Sequence, residues 1–256
     1  MTYLYDHYNR EERALCSHLF RLLHEPARFP EPDPPIAQFA RLLASSEIWE
    51  DLPNLSQVTD WQQARVYSEV ALLRDAYAAR SNSAEQDGLM DQIVCEVSRL
   101  RNVDDCISWS ELMSQLTGSR IHPSKLMNEL EKRALSVLIQ GSREVYSTIQ
   151  SMFNSKPDMA ITFYGHVVLI EAKLTQRFDT AQMKRAEELR QVWASALYKD
   201  LGLDEPPKAC AVAKLGASTR VADITWGDVA GIAARHYSEG DRSRQAFEYA
   251  VELCGK

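Results

Sequence analysis

The sequence predicts an α/β protein, with a mostly helical first part followed by the order helix, strand, strand, helix, strand, helix. Three observations carry that expectation. In "NREERALCSHLFRLLH" (9–24), apolar residues at 15, 16, 19, 20, 22 and 23 follow a helical spacing. Two strand-forming runs, Met159–Phe163 and Val167–Leu174, flank Tyr164-Gly165. A long helical segment, about Thr180 to Tyr198, then separates them from a third apolar run, "ACAVAKL" at Ala209–Leu215.

Taken in order, the first helix has Asn9 as its expected N-cap, with Glu11 and Glu12 in a first turn where the helix dipole favours acids. "EPARFPEPDPP" (25–35) is a proline-rich break. Helical patterns follow over Ile36–Ser45, over Asp60–Arg80 with Asp60 as cap and apolar residues at 66, 70, 73 and 77, and over Leu89–Arg101. "SNSAEQDG" (81–88) reads as a loop between the last two. Residues 107–135 read as two helices about a turn, opened by Ser108 and by His122-Pro123. The exposed face of the second carries Lys125, Glu129, Lys132 and Arg133, a mixed set rather than a basic stripe, so a bundle element is expected rather than a DNA-reading helix. Ser142–Phe153 fits a further helix, and Trp226–Tyr237 and Arg242–Leu253 fit two closing ones.

Composition bounds the function. At 256 residues there is ample chain for a core, and 45% hydrophobic with 25% charged residues is ordinary for a globular protein. No apolar run approaches the ~18 residues that span a bilayer, and "MTYLYDHYNREER" is too polar and acidic for a secretory leader. Five scattered cysteines without a C-x-x-C pair argue against a zinc or disulfide framework and for reduced, mostly buried thiols; the expected location is cytoplasmic. The six histidines lack metal-type spacing, and phosphate-loop and serine-hydrolase signatures are absent. Net charge is −7, all of it in residues 1–150, where 15 basic face 22 acidic residues; residues 151–256 balance at 14 each. A phosphate ligand would therefore need a local patch or a metal ion.

The hairpin concentrates the chemistry. With Tyr164-Gly165 at the tip, Phe163 pairs with His166, Ile161 with Val168 and Asp158 with Glu171. The period of two sets Asp158, Glu171 and Lys173 on one face and an unbroken apolar set, Met159 to Leu174, on the other. Two carboxylates opposed roughly 5 Å apart repel. A divalent cation offsets that repulsion well, since Mg²⁺ takes hard oxygen ligands, keeps several waters and needs only one or two carboxylates. A plainer reading remains, with Asp158 capping a strand and Glu171 and Lys173 forming an exposed ion pair.

Pro157-Asp158, a 12-residue gap and Glu171-Ala172-Lys173 on an apolar strand resemble the PD-(D/E)XK nuclease superfamily. The resemblance implies a restriction-endonuclease-like mixed β-sheet core flanked by helices, with a large all-helical insertion between the first helix and the catalytic hairpin. It implies a division into 1–30 (first core helix), 31–150 (helical insertion) and 151–256 (core with hairpin). It implies that Asp158, Glu171, the Ala172 carbonyl and Glu12 bind Mg²⁺ (Mn²⁺ substituting), with Glu11 as fallback for Glu12, and that Lys173 serves the nucleophile. Gln182 occupies the place of a glutamine found after the lysine in several members. The aromatic residue that often follows it is missing, which leaves Arg185 or Arg190 as candidate phosphate contacts. The expected activity is metal-dependent hydrolysis of DNA, RNA being the lesser candidate, in restriction or phage defence. The acidic first part suggests a homodimer or a protein partner acting through the helical region. The alternatives are a catalytically silent nuclease-like interaction module and a DNA-binding regulator using 107–135. Lys214, near the end of the third strand, has two readings, a contact to phosphate and a solvated strand end, of which the second is preferred.

Overall fold

The computed structural model describes residues 11–25, 33–46, 64–116, 120–132, 140–163, 165–174 and 177–255. Within them lie ten α-helices and five strands: α1 Glu11–His24, α2 Pro35–Ser45, β1 Arg65–Ser68, α3 Leu72–Ala79, α4 Ser83–Arg101, α5 Trp109–Gln115, α6 Leu126–Lys132, α7 Gln140–Phe153, β2 Met159–Phe163, β3 His166–Ala172, α8 Thr180–Ala196, β4 Ala209–Gly216, β5 Ile224–Thr225, α9 Trp226–His236 and α10 Arg242–Cys254. The α/β class holds. Asn9, Asp60 and Tyr164, expected as two caps and part of a turn, lie outside the described residues, as does the side chain of Glu11.

The strands form one mixed sheet in the order β1-β2-β3-β4-β5. β1, β2 and β3 run antiparallel in sequence; β4 joins β3 in parallel, and β5 joins β4 in parallel. The hairpin register is the expected one, from Met159 opposite Ile170 to Phe163 opposite His166. Gly165 has φ +75°, a left-handed conformation that glycine adopts without a Cβ penalty, and so closes the turn.

Two expectations are corrected. Residues 60–80 are not one helix: 65–68 form β1 and the helix starts only at Leu72. Residues 81–88 are not simply a loop. Asn82 accepts from the Glu85 N–H at 3.0 Å, and the Glu85 carboxylate accepts from Ser81 N–H at 2.9 Å, so a reciprocal cap starts α4 at Ser83.

The chain divides into two compact units. The first comprises 1–70, 157–183 and 207–256; the second comprises 71–156 and 184–206. The division expected at 30/31 differs because α2 and β1 belong with the sheet, and the one expected at 150/151 because the second unit runs to 156 and also takes 184–206. In the first unit Leu19 and Leu22 of α1, Phe39 and Leu43 of α2, Trp226 and Ile232 of α9 and Phe247 of α10 bury one face of the sheet through Met159, Ile161, Val168, Ile170, Ala213 and Leu215. Full burial of each such side chain contributes about 1.5–3 kcal/mol. At the end of β4, a Cβ on Gly216 would lie 3.0 Å from the Ala222 Cβ and 3.2 Å from the Phe178 ring, so only glycine fits without movement. The second unit is helical, around Met90, Ile93, Trp109, Leu112, Tyr146 and Ile149. There Tyr146 Oη donates to the Ile107 carbonyl (2.9 Å), and Arg80 pairs with both oxygens of Asp200 at 2.8 and 3.0 Å.

All five cysteines are free; only Cys16 is buried, Cys95 is exposed and the other three are intermediate, which corrects the expectation of mostly buried thiols. Among the described residues no helix is long and apolar enough to cross a membrane.

Candidate active site

The end of the sheet where β2 begins and β3 stops collects the singled-out side chains. Asp158 directly precedes β2, one step beyond the Met159–Ile170 pair, which sets it opposite Glu171. Its backbone is gripped by the two residues that follow β1. The Glu69 N–H donates to the Asp158 carbonyl at 2.9 Å, and the Val70 N–H donates to the Pro157 carbonyl at 3.3 Å. Glu69 achieves this with φ +49°, a left-handed conformation disfavoured for a side chain of its size. Asp158 Oδ2 in turn accepts the Ala172 N–H at 2.8 Å, which ties the carboxylate to the last residue of β3.

Glu171 is 4% exposed, an uncommon degree of burial for an acid. Its Oε2 accepts from Gln182 Nε2 at 2.6 Å. Gln182 is placed by the start of α8, where Asp179 caps the helix by accepting from the N–H groups of Ala181 (2.6 Å) and Gln182 (3.1 Å).

Lys173 is fixed through its backbone on both sides. Its N–H donates to the Leu215 carbonyl at 2.8 Å, and its carbonyl accepts the indole N–H of fully buried Trp226 at 3.0 Å. Its ammonium lies 3.5 Å from Glu12 Oε2, and Glu12 Oε1 accepts the Leu174 N–H at 3.2 Å. Glu12 thus spans the end of β3, holding a backbone donor with one oxygen and the lysine with the other. Beside it Arg13 pairs with Glu69 at 2.6 Å, which joins α1 to the residue that holds Asp158.

The electrostatics follow from crowding acids in a partly dry place. Burial pushes the Asp158 carboxyl above the usual carboxylate range and Glu12 adds to that, against the Ala172 N–H, Lys173 and Arg13. Cys16, one helical turn after Glu12, is raised well above the ordinary thiol value by burial and then by the charges of Asp158, Glu12 and Glu171, with Lys173 opposing.

Asp158, Glu171, Lys173, Glu12 and Gln182 therefore share the first compact unit, with Asp158, Glu12 and Gln182 each bonded to a side chain or backbone group at residues 171–174. Arg190 does not: it lies in the second unit, paired with Glu187, and Arg185 belongs to that unit too. Glu69, Trp226 and Cys16 were not foreseen. Nothing in the sequence marks Glu69 for a left-handed conformation, and the Trp226 contact spans 53 residues.

The donor set suits a hard divalent ion. Asp158 and Glu171 supply opposed carboxylates in a buried place, which a cation neutralises, and two carboxylates with water meet the needs of Mg²⁺. Among the described residues no group of three or more His, Cys, Asp or Glu side chains is placed to hold a metal. No family model matches the chain, and neither a curated protein nor a solved structure does.

Proposed function

We propose that the chain is a metal-dependent nuclease of the PD-(D/E)XK type, hydrolysing phosphodiester bonds of DNA on a restriction-endonuclease-like core. The observation that carries this reading is the hydrogen bond from Ala172 N–H to Asp158 Oδ2, which ties that carboxylate to the residue between Glu171 and Lys173. An antiparallel β1-β2-β3 meander followed by a helix and a parallel β4 supports the same reading. So do the Glu12–Lys173 ion pair and the Gln182–Glu171 hydrogen bond.

Asp158 and Glu171 would hold Mg²⁺, with the Ala172 carbonyl alongside; Mn²⁺ meets the same donors. When bound, the ion would supply Lewis acidity and a water of lowered pKa. Gln182 fixes the orientation of the Glu171 carboxylate by donating to its Oε2. Glu12 holds the Lys173 ammonium in place, so that Nζ can donate to a phosphate oxygen or to the attacking water as negative charge develops. A setting in restriction or phage defence rests on fold analogy. The helical second unit is the proposed seat of dimer or partner contacts.

The test is cleavage of linear, supercoiled and single-stranded DNA, and of an RNA of matched sequence, in Mg²⁺, Mn²⁺ or EDTA. Metal-dependent cleavage that falls by at least about a hundredfold in both Asp158→Ala and Lys173→Ala is the expected result. Binding without cleavage would instead assign a DNA-binding regulator, and neither activity a silent module.

A further inference from the structure

We propose that Lys214 is a second cation of this site and grips a backbone phosphate of the nucleic acid beside Glu171, an inference that rests on the nuclease reading. β4 lies parallel to β3 with Lys214 directly opposite Glu171. Residues opposed across neighbouring strands project to the same face, and faces alternate along a strand. Ala213 and Leu215, each 1% exposed, enter the core with Ile170 and Ala172, so Lys214 projects with Glu171 to the opposite face. It is half-buried there, not the solvated strand end its sequence position suggests.

The acid that binds Lys214 does not neutralise it. Asp223 Oδ2 accepts the Lys214 backbone N–H at 2.7 Å, and the Asp223 N–H donates to the Lys214 carbonyl at 2.9 Å. That clamp fixes the strand and leaves the ammonium alone. Among the described residues no acid lies within ion-pair distance of Lys214 Nζ, whereas Lys173 is engaged by Glu12. A phosphate approaching Asp158 and Glu171 meets two carboxylates, and Lys214 is an uncommitted positive charge in register with Glu171. A lysine suits the task, since its compact ammonium on a flexible stem attracts phosphate as a point charge.

Single-turnover cleavage of a labelled DNA duplex in Mg²⁺, over a range of enzyme and KCl concentrations, separates the half-saturating concentration from the maximal rate. Lys214→Met keeps the stem and removes the charge. It should raise the half-saturating concentration about tenfold while retaining the maximal rate. It should also lower the slope of its logarithm against log[KCl] by about 0.9, the share of one phosphate. Lys214→Arg should restore both. Lys208→Met removes the same charge from an exposed residue just before β4, roughly 20 Å along the strand, and should match wild type. Should melting show the Met variant unfolded, Lys214→Gln takes its place. A wild type that cleaves while the folded Lys214 variant keeps the wild-type slope and half-saturation overturns the Lys214 assignment and leaves the nuclease reading standing. A wild type that does not cleave overturns both.

Discussion

Burial and the Glu12 charge both favour the neutral form of Asp158, while its bond from Ala172 N–H favours the charged one; the net effect is upward. The consequence for stability has a definite sign. A carboxyl whose folded pKa exceeds its unfolded one binds more protons in the native state, so its stabilising contribution is complete below about pH 4 and is lost as pH rises through the raised folded value. In metal-free protein at pH 7, Asp158 is therefore a net burden. Asp158→Asn should raise the melting temperature in EDTA at pH 7, and the gain should shrink towards zero as the pH approaches 4. Added Mg²⁺ should reverse the ranking by stabilising wild type alone. A variant that melts below wild type in EDTA at pH 7 would mean that the carboxylate's bond to Ala172 outweighs its burial. The partners of this residue were readable because strand register is arithmetic: once the hairpin tip is placed, Asp158 must oppose Glu171. The grip of Glu69 on the same residue was not readable, since it depends on a left-handed backbone at a glutamate.

At the scale of elements, α9 links core stability to the lysine. Thr225 caps it, accepting from the Asp228 N–H at 3.1 Å while Asp228 Oδ2 accepts from the Thr225 N–H at 2.8 Å. The first helical residue is Trp226, whose indole holds the Lys173 carbonyl. Two substitutions one residue apart should therefore differ in kind. Thr225→Ala should cost about 1 kcal/mol in urea denaturation, the usual worth of a cap, with cleavage nearly unchanged. Trp226→Phe leaves a buried carbonyl without its donor, which costs about 1–3 kcal/mol, and should also depress cleavage because Lys173 loses an anchor. Equal losses of activity in both would sink the idea that Trp226 positions the lysine. Apolar periodicity found the longer elements, α9 among them, because their apolar faces repeat over several turns. It failed at β1, where four residues bury only Val66 and the spacing 66, 70, 73, 77 also suits a helix. The start of α4 was signalled by Asn82 three residues before Glu85, but Gly88 and the polar run concealed it.

For the whole molecule, periodicity shows that a helix has a buried face but not which core receives it. Hence α2 was grouped with the helical region, although Phe39 and Leu43 pack into the sheet core of the first unit. The division has a measurable consequence, because every proposed ion-holding residue lies in 1–70 or 157–183. An ion that binds only the native first unit stabilises it by RT ln(1 + [L]/Kd), about 2.7 kcal/mol at a hundredfold excess over Kd. Amides that exchange only when that unit opens should then slow by about a hundredfold. Hydrogen exchange with and without Mg²⁺ should show this at Ile170, Ala172 and the β4 amides. Slower exchange at Ile93 and Tyr146 should appear only to the extent that the second unit opens together with the first. Asp158→Asn should abolish the effect throughout. Protection that survives in that variant would place the ion elsewhere, and unchanged exchange in wild type would remove the two-carboxylate site on which the nuclease reading depends.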